Sequence, residues 1–229
     1  SSKSSHSFPM HAGHGTKLLH CLPHHRQGGN GSGSDIGCGC GAFFDYVSGV
    51  AREVVAVEPS LKYRNIMSRK GFSTYSYADE AKKLYANKID VITSFDVIEH
   101  VQSPESFIKD VYDLLTAGGK AIIGTPTDAP IMRSLLGKDY EKKLLFSTQH
   151  LWILSEKNLR ITSEKCGFKN IDIKYYQRYG IDNMLGWLKD KEPKSEIKQK
   201  FITETLNNVW KAQLVDNGLA DYIVLYLEK

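Results

Sequence analysis

Asp35-Ile36-Gly37-Cys38-Gly39-Cys40-Gly41, running straight into Ala42-Phe43-Phe44-Asp45-Tyr46-Val47, decides the fold of this chain. Three glycines at alternate positions let the backbone turn sharply and let a ligand approach it closely. The helix expected from residue 42 turns free amide groups toward whatever lies in that turn. Glycines at this spacing suit any tight turn, but Asp35, two residues before the first of them, sets the run apart from phosphate-binding loops. A second acid, Glu58, stands about twenty residues further on, closing the β-branched run Glu53-Val54-Val55-Ala56-Val57 before Pro59-Ser60. From that position a carboxylate accepts both ribose hydroxyls of an adenosine ligand. The alternative is a ligand-free turn beside a surface acid.

Outward from this pair, strand-like and helix-like stretches alternate. A polar helix containing Tyr63, Ile66 and Met67 ends at Gly71, a strand follows over Phe72 to Tyr77, and Ile89 to Ser94 reads as the next strand. Over residues 104–116, Phe107, Ile108, Val111, Leu114 and Leu115 fall on one helical face, stopped by Gly118-Gly119. Lys120 to Thr125 is a buried strand closed by Pro126. After Pro130 the rhythm loosens, then a helix from Ser155 to Gly167 and strands at Asn170–Tyr176 and Asp221–Leu227 complete the pattern. About residues 183–218 form a small helical, charged insertion between the last two strands. The expected fold is α/β: a Rossmann-like, doubly wound, seven-stranded, mostly parallel sheet with a terminal antiparallel strand.

Four stretches resemble the class I S-adenosylmethionine (SAM)-dependent methyltransferases, in the branch with ubiquinone-type and sugar O-methyltransferases. They are Asp35 to Gly41, Val57-Glu58-Pro59-Ser60, Phe95-Asp96-Val97-Ile98-Glu99-His100-Val101, and Leu115-Thr116-Ala117-Gly118-Gly119. The resemblance covers about residues 35–175 and implies SAM as cofactor. It implies that Gly37, Cys38, Gly39 and Gly41 border the methionine part of SAM and that Asp35 helps hold its amino group. Glu58 and Pro59 fall at the ribose, Asp79 near the adenine, and Ser94-Phe95 along the ligand's other side. A donor that already carries a sulfonium charge needs little activation, so the protein has to align the acceptor and exclude water. One departure stands out: the family places apolar residues before the Asp, and this chain has Gly31-Ser32-Gly33-Ser34 there. Such a central strand packs poorly.

Asp96, Glu99 and His100 fall at i, i+3 and i+4, one face of a helical turn beyond a strand's end. His150 stands apart in Thr148-Gln149-His150-Leu151-Trp152. Two acids with two histidines in this arrangement resemble the methyltransferases that finish small RNAs at their 3′ ends, where such a set holds a divalent ion. Three roles stay open: a divalent metal held by Asp96, Glu99, His100 and His150, a general base at His100 aided by Glu99 and Asp96, or a structural pair. The stretch Tyr175 to Leu188 is rich in aromatic and planar polar residues. It resembles bacterial methyltransferases of surface-polysaccharide pathways, which places Tyr179, Asn183 and Trp187, with His150, against the acceptor. Packing on a sheet edge is the alternative.

The leading expectation is O-methylation of a small-molecule or glycan hydroxyl. The alternatives are a metal-dependent methyltransferase of RNA-terminal 2′-hydroxyls and a SAM-binding protein without catalysis. The net charge is only +4 over 229 residues and the sequence carries no clear basic stripe, so nucleic acid is not the expected partner. The five lysines from Lys189 to Lys200 have three acids among them, as a solvated face does. No apolar run approaches the roughly 18 residues of a membrane span, and the expected compartment is the cytoplasm. Oligomeric state is not legible. Residues 1–34, with six of the eight histidines and a glycine/serine end, read as a flexible arm, with a non-native segment as the alternative, ahead of a methyltransferase domain at 35–229. Four cysteines make no disulfide scaffold, and the Cys38-x-Cys40 pair lacks a second pair to complete a zinc site.

Overall fold

A computed structural model describes residues 31–39, 41, 44, 51–146, 149–192 and 200–229. The histidine-rich stretch, Cys21, Cys40, most of the helix expected over 42–47 and part of the Lys189–Lys200 run lie outside the described residues.

Seven strands form one sheet: β1 (Ser32–Ile36), β2 (Glu53–Val57), β3 (Ser73–Tyr75), β4 (Ile89–Phe95), β5 (Leu115–Pro126), β6 (Asn170–Tyr176) and β7 (Tyr222–Glu228). Their spatial order is β3-β2-β1-β4-β5-β7-β6. Pairings from β3 to β5 are parallel, whereas β7 runs antiparallel to both β5 and β6. The expected sheet and its reversed terminal strand are therefore present. Connecting segments include α1 (Leu61–Arg69), α2 (Ala78–Tyr85), α3 (Pro104–Leu114), α4 (Pro130–Leu136) and α5 (Lys138–Tyr140), which runs into a π-helical turn at Glu141–Leu145. Then come α6 (Glu156–Cys166), α7 (Ile181–Asp190) and α8 (Glu204–Asp216), the last two in the insertion expected from sequence.

The local chemistry accounts for the helix ends. Ser103 accepts from the Ser106 amide at the start of α3, where Pro104 occupies the first turn, and Ser155 accepts from the Asn158 amide at the start of α6. Gly167 ends α6 at φ 109°, in the left-handed region that glycine enters freely. α3 buries Phe107, Ile108, Val111 and Leu114 in the main core. Each contributes roughly 1.5–3 kcal/mol of apolar burial. The helix stops at Leu114, earlier than the expected 116, because Leu115 turns extended and pairs with Ile89 at the start of β5.

β1 differs most from expectation. The boundary drawn between residues 34 and 35 falls inside this strand, whose register is already set at Ser32↔Glu53. Polar bonds replace the apolar packing that Gly31 to Ser34 cannot supply. The Ser32 amide donates to Asp90 Oδ2 at 2.7 Å, and its hydroxyl donates to the Lys88 carbonyl. The Ser34 hydroxyl donates to the Val55 carbonyl at 3.0 Å, and Thr93 Oγ1 donates to Asp35 Oδ1 at 2.9 Å. Ser32 and Ser34 are buried, so these bonds satisfy groups that water cannot reach.

Candidate active site

The candidate residues collect at one edge of the sheet, beyond the C-terminal ends of the parallel strands, where open α/β sheets bind ligands. Gly37 follows β1, Glu58 follows β2, Asp96 follows β4, Arg178 follows β6, and Asp221 precedes the reversed β7.

Gly37, Gly39 and Gly41 all have positive φ, at 80°, 52° and 80°. They do different work. A Cβ on Gly37 would lie 2.2 Å from Val97 Cγ2, and one on Gly41 would lie 2.3 Å from Met67 Sδ, so these two glycines let the loop pack on the protein. Among the described residues, a Cβ on Gly39 would meet nothing within 4 Å, which leaves this side of the loop open to a ligand. Glu58 is buried behind it. Its Oε2 accepts from the Gly39 amide at 2.9 Å and its Oε1 from the Ser60 amide at 2.8 Å. Cys38 is buried beside this loop. Asp35 is buried with Thr93 as its side-chain donor, and burial, with a smaller push from Glu58, raises its pKa to about 7.

Other sequence-derived contacts distribute unevenly. Asp79 is exposed in the first turn of α2 and Pro59 is exposed after Glu58, both on the open edge. Phe95 is half-buried. Ser94 is fully buried and its hydroxyl donates to the Ile36 carbonyl at 2.8 Å, so it ties β4 to β1 and does not face the open loop.

Two histidines from distant segments meet. Leu151 and Trp152 both donate backbone amides to the Glu99 carbonyl, and Trp152 Nε1 donates to the Val101 carbonyl at 2.9 Å. These bonds pin residues 149–152 to the turn after β4 and set the His100 and His150 rings 4.9 Å apart. His100 Nδ1 lies 2.8 Å from the Gln149 carbonyl. A carbonyl only accepts, so Nδ1 carries the proton and Nε2 keeps a lone pair in the neutral ring. Glu99 Oε1 lies 3.7 Å from that Nε2 and is buried without a hydrogen-bond partner, while Oε2 accepts from Thr125 Oγ1 at 3.0 Å. Burial, followed by the nearby Asp96 charge, raises the Glu99 pKa to about 7. Burial and His100 lower that of His150, whose Nδ1 is also buried and unpartnered.

One ligand atom from each of Glu99, His100 and His150 lies within 4.8 Å of the others, a separation that a single ion can bridge. Asp96, the fourth expected ligand, is not in that group. Its backbone takes φ 55° and its Oδ1 lies 3.8 Å from Arg178 Nη1.

Tyr179, Asn183 and Trp187 line one cavity of about 60 Å³, together with Arg178, Trp210 and Asp221. His150 is not among its lining residues. Trp187 has a second role: it packs edge-on against Tyr140 at 5.5 Å in a satellite core with Leu136 and Leu145. Arg178 is the residue sequence reasoning missed. Its guanidinium lies over the Tyr222 ring at 4.5 Å, and Asp221 Oδ1 accepts from its amide at 2.9 Å. Burial works against its charge, but Asp221 and Asp96 outweigh that and hold it protonated. The Arg-Tyr pair at a strand end was the only local signal, because its partner Asp221 is 43 positions away.

A methyltransferase-domain family matches residues 16–173, more than half the chain and reaching upstream of β1. The ubiquinone biosynthesis O-methyltransferase of Ruegeria pomeroyi is 26% identical over 163 residues, covering 67% of this chain and 64% of that protein. The enzyme of the same name from Dinoroseobacter shibae is 27% identical over 150 residues, covering 61% of this chain and 60% of its own length. The match thus spans less than two thirds of either relative. Among solved structures, a SAM-dependent methyltransferase from Archaeoglobus fulgidus superposes with TM-score 0.63 at 17% identity, covering 94% of this chain and 92% of that one. A SAM-dependent methyltransferase from Thermotoga maritima, described as a possible histamine N-methyltransferase, gives 0.59 at 20% identity, covering 94% and 87%. With the glycine loop, the acid after β2 and the reversed terminal strand in place, this chain belongs to the class I SAM-dependent methyltransferases.

Proposed function

We propose that this chain transfers the methyl group of SAM to a hydroxyl oxygen of a small-molecule or glycan acceptor. The observation that carries this reading is the apposition of two groups at neighbouring strand ends: the open glycine loop with Glu58, and Glu99 with His100 and His150. SAM, the family's cofactor, supplies an electrophilic methyl on sulfonium. The chain's own residues do the remainder. Glu58 takes the ribose hydroxyls, Gly39 leaves room for the methionine part, and Asp35 receives the amino group. Methylating a hydroxyl forms an O–CH3 bond, breaks the S–CH3 bond and releases the hydroxyl proton. His100 Nε2 takes that proton, with Glu99 beside it to stabilise the imidazolium. Tyr179, Asn183 and Trp187 hold the acceptor. Calorimetric titration with S-adenosylhomocysteine, then transfer of labelled methyl to a panel of hydroxyl acceptors, tests this. Absence of binding by the folded chain overturns it.

The unpartnered buried Glu99 Oε1 and His150 Nδ1 favour a second reading, in which Glu99, His100 and His150 hold a divalent ion that orients the acceptor hydroxyl. One carboxylate with two imidazoles suits Zn²⁺, Mn²⁺ or Fe²⁺ better than Mg²⁺. Asp96 then serves outside the ligand set. Methyl transfer to RNA 3′ ends that EDTA abolishes would replace the small-molecule and glycan reading.

A further inference from the structure

We infer that Arg178 and Asp96 jointly bind an oxygen of the acceptor and select a neutral hydroxyl over an anionic group. The inference deepens the methyl-transfer reading and rests on it for the identity of the occupant.

Arg178 is a largely buried cation with idle donors. Its side chain is 19% exposed and lines the cavity beside Tyr179, Trp187 and Trp210. Of its five N–H groups, only Nη2 makes a hydrogen bond among the described residues, to the Asp221 carbonyl at the long distance of 3.5 Å. Nε is buried without a hydrogen-bond partner, 3.5 Å from Asp221 Oδ1, and Nη1 stands 3.8 Å from Asp96 Oδ1. Charge-assisted N–H···O bonds close to about 2.7–2.9 Å. Tyr222 stacked beneath the guanidinium and Asp221 bonded to the Arg178 amide fix this headgroup in place. Nη1 is therefore left facing Asp96, which neighbours Arg178 without lining the cavity itself, and can take a further acceptor.

An oxygen seated between Arg178 and Asp96 has two tasks. It accepts N–H from the guanidinium and donates its own proton to the Asp96 carboxylate. A hydroxyl does both. A carboxylate or phosphate has no proton to give, and it meets negative charge at Asp96, with Asp221 close behind. Asp221 already balances the Arg178 charge, so the pair offers no net attraction to an anion. Aromatic and apolar neighbours such as Met132 and Leu219 line the remaining wall and favour a neutral body behind the hydroxyl.

Phenol, benzoate and benzylammonium serve as probes of one size and three charges, followed by quenching of tryptophan emission with S-adenosylhomocysteine present. The wild-type chain is expected to bind phenol about tenfold tighter than benzoate, the scale of one hydrogen bond to a charged group. Arg178→Lys keeps the charge that balances Asp221 but removes the fork, and weakens phenol about tenfold with S-adenosylhomocysteine affinity unchanged. Asp96→Asn, which tolerates the positive φ, admits benzoate and narrows the preference to about threefold. Benzoate binding as tightly as phenol, no phenol binding, or an Arg178→Lys variant with wild-type selectivity overturns the inference. Loss of S-adenosylhomocysteine binding with phenol selectivity intact overturns the methyl-transfer reading instead, so the two failures are distinguishable.

Discussion

Glu58 Oε2 accepts a hydrogen bond from the amide of Gly39 at 2.9 Å, which joins the acid after β2 to the open position of the loop after β1. The acid is aimed by the loop and the loop is held by the acid. Replacing Glu58 therefore removes a ligand contact and frees the loop together. Glu58→Ala is expected to weaken S-adenosylhomocysteine binding by about 100-fold, two charged hydrogen bonds' worth, in calorimetry. An unchanged affinity would remove Glu58 from the cofactor site.

The loop glycines should separate by phenotype. Gly37→Ala drives a methyl into Val97 and forces a strained backbone, so its main effect is on stability, at about 2–4 kcal/mol in denaturant unfolding. Gly39→Ala meets no atom of the described residues within 4 Å and costs about 1–2 kcal/mol from its φ alone. Its larger effect is lost S-adenosylhomocysteine binding, because the new methyl enters the space given to the ligand. Equal binding losses at equal stability would contradict this division.

Protonation of Asp35 gives stability a definite slope. With its pKa raised to about 7 from 3.8, the folded chain holds a proton between those values that the unfolded chain releases. Its contribution is present below about pH 4 and is lost as pH rises through 7. Glu99, also raised to about 7, acts in the same direction. Melting temperature without ligand should fall from pH 5 to pH 8, and Asp35→Asn should flatten part of that fall. A slope identical to wild type would show that Asp35 titrates normally.

His100→Ala is expected to slow methyl transfer by about 10²–10⁴-fold while S-adenosylhomocysteine binding stays within about threefold. A matching loss of binding would mean that the turn after β4 supports the cofactor instead of the acceptor.

Asp90 anchors the start of β1 through the Ser32 amide, and it also accepts from Thr116 Oγ1 at 3.2 Å. Asp90→Ala strands two donors and should cost about 1–3 kcal/mol in chemical denaturation. A neutral substitution would show that β1 is held by its ladder alone.

The sheet was legible wherever strands carried β-branched runs, as in Val54 to Val57 and Ile89 to Ile92. β1 hid because serine and glycine carry a linker's composition, and its stability comes from partners at Asp90, Val55 and Thr93 that no local pattern reveals. α2 escaped reading because Ala78 and Ala81, its buried residues, give a weak apolar stripe. In the site, the glycine loop, Glu58 and Glu99-His100 announced themselves by spacing. The grouping of His150 with His100 was suggested by resemblance, but no local pattern carried it, because backbone bonds to Glu99 bring the two segments together; Arg178 gains its character from Asp221 and Tyr222 at the start of another strand.

The small polar side chains of β1 also carry a mechanical meaning. The strand joins the β3–β2 half of the sheet to the half that begins at β4, yet it contributes hydrogen bonds and few interlocking side chains. It is a seam, and the open loop lies at its upper end. Glu58 stands on one bank and the turn at Asp96 on the other. A molecule gripped from both banks works as a stitch across the line where the sheet parts most readily, so occupancy should brace the whole fold as well as the loop that holds it.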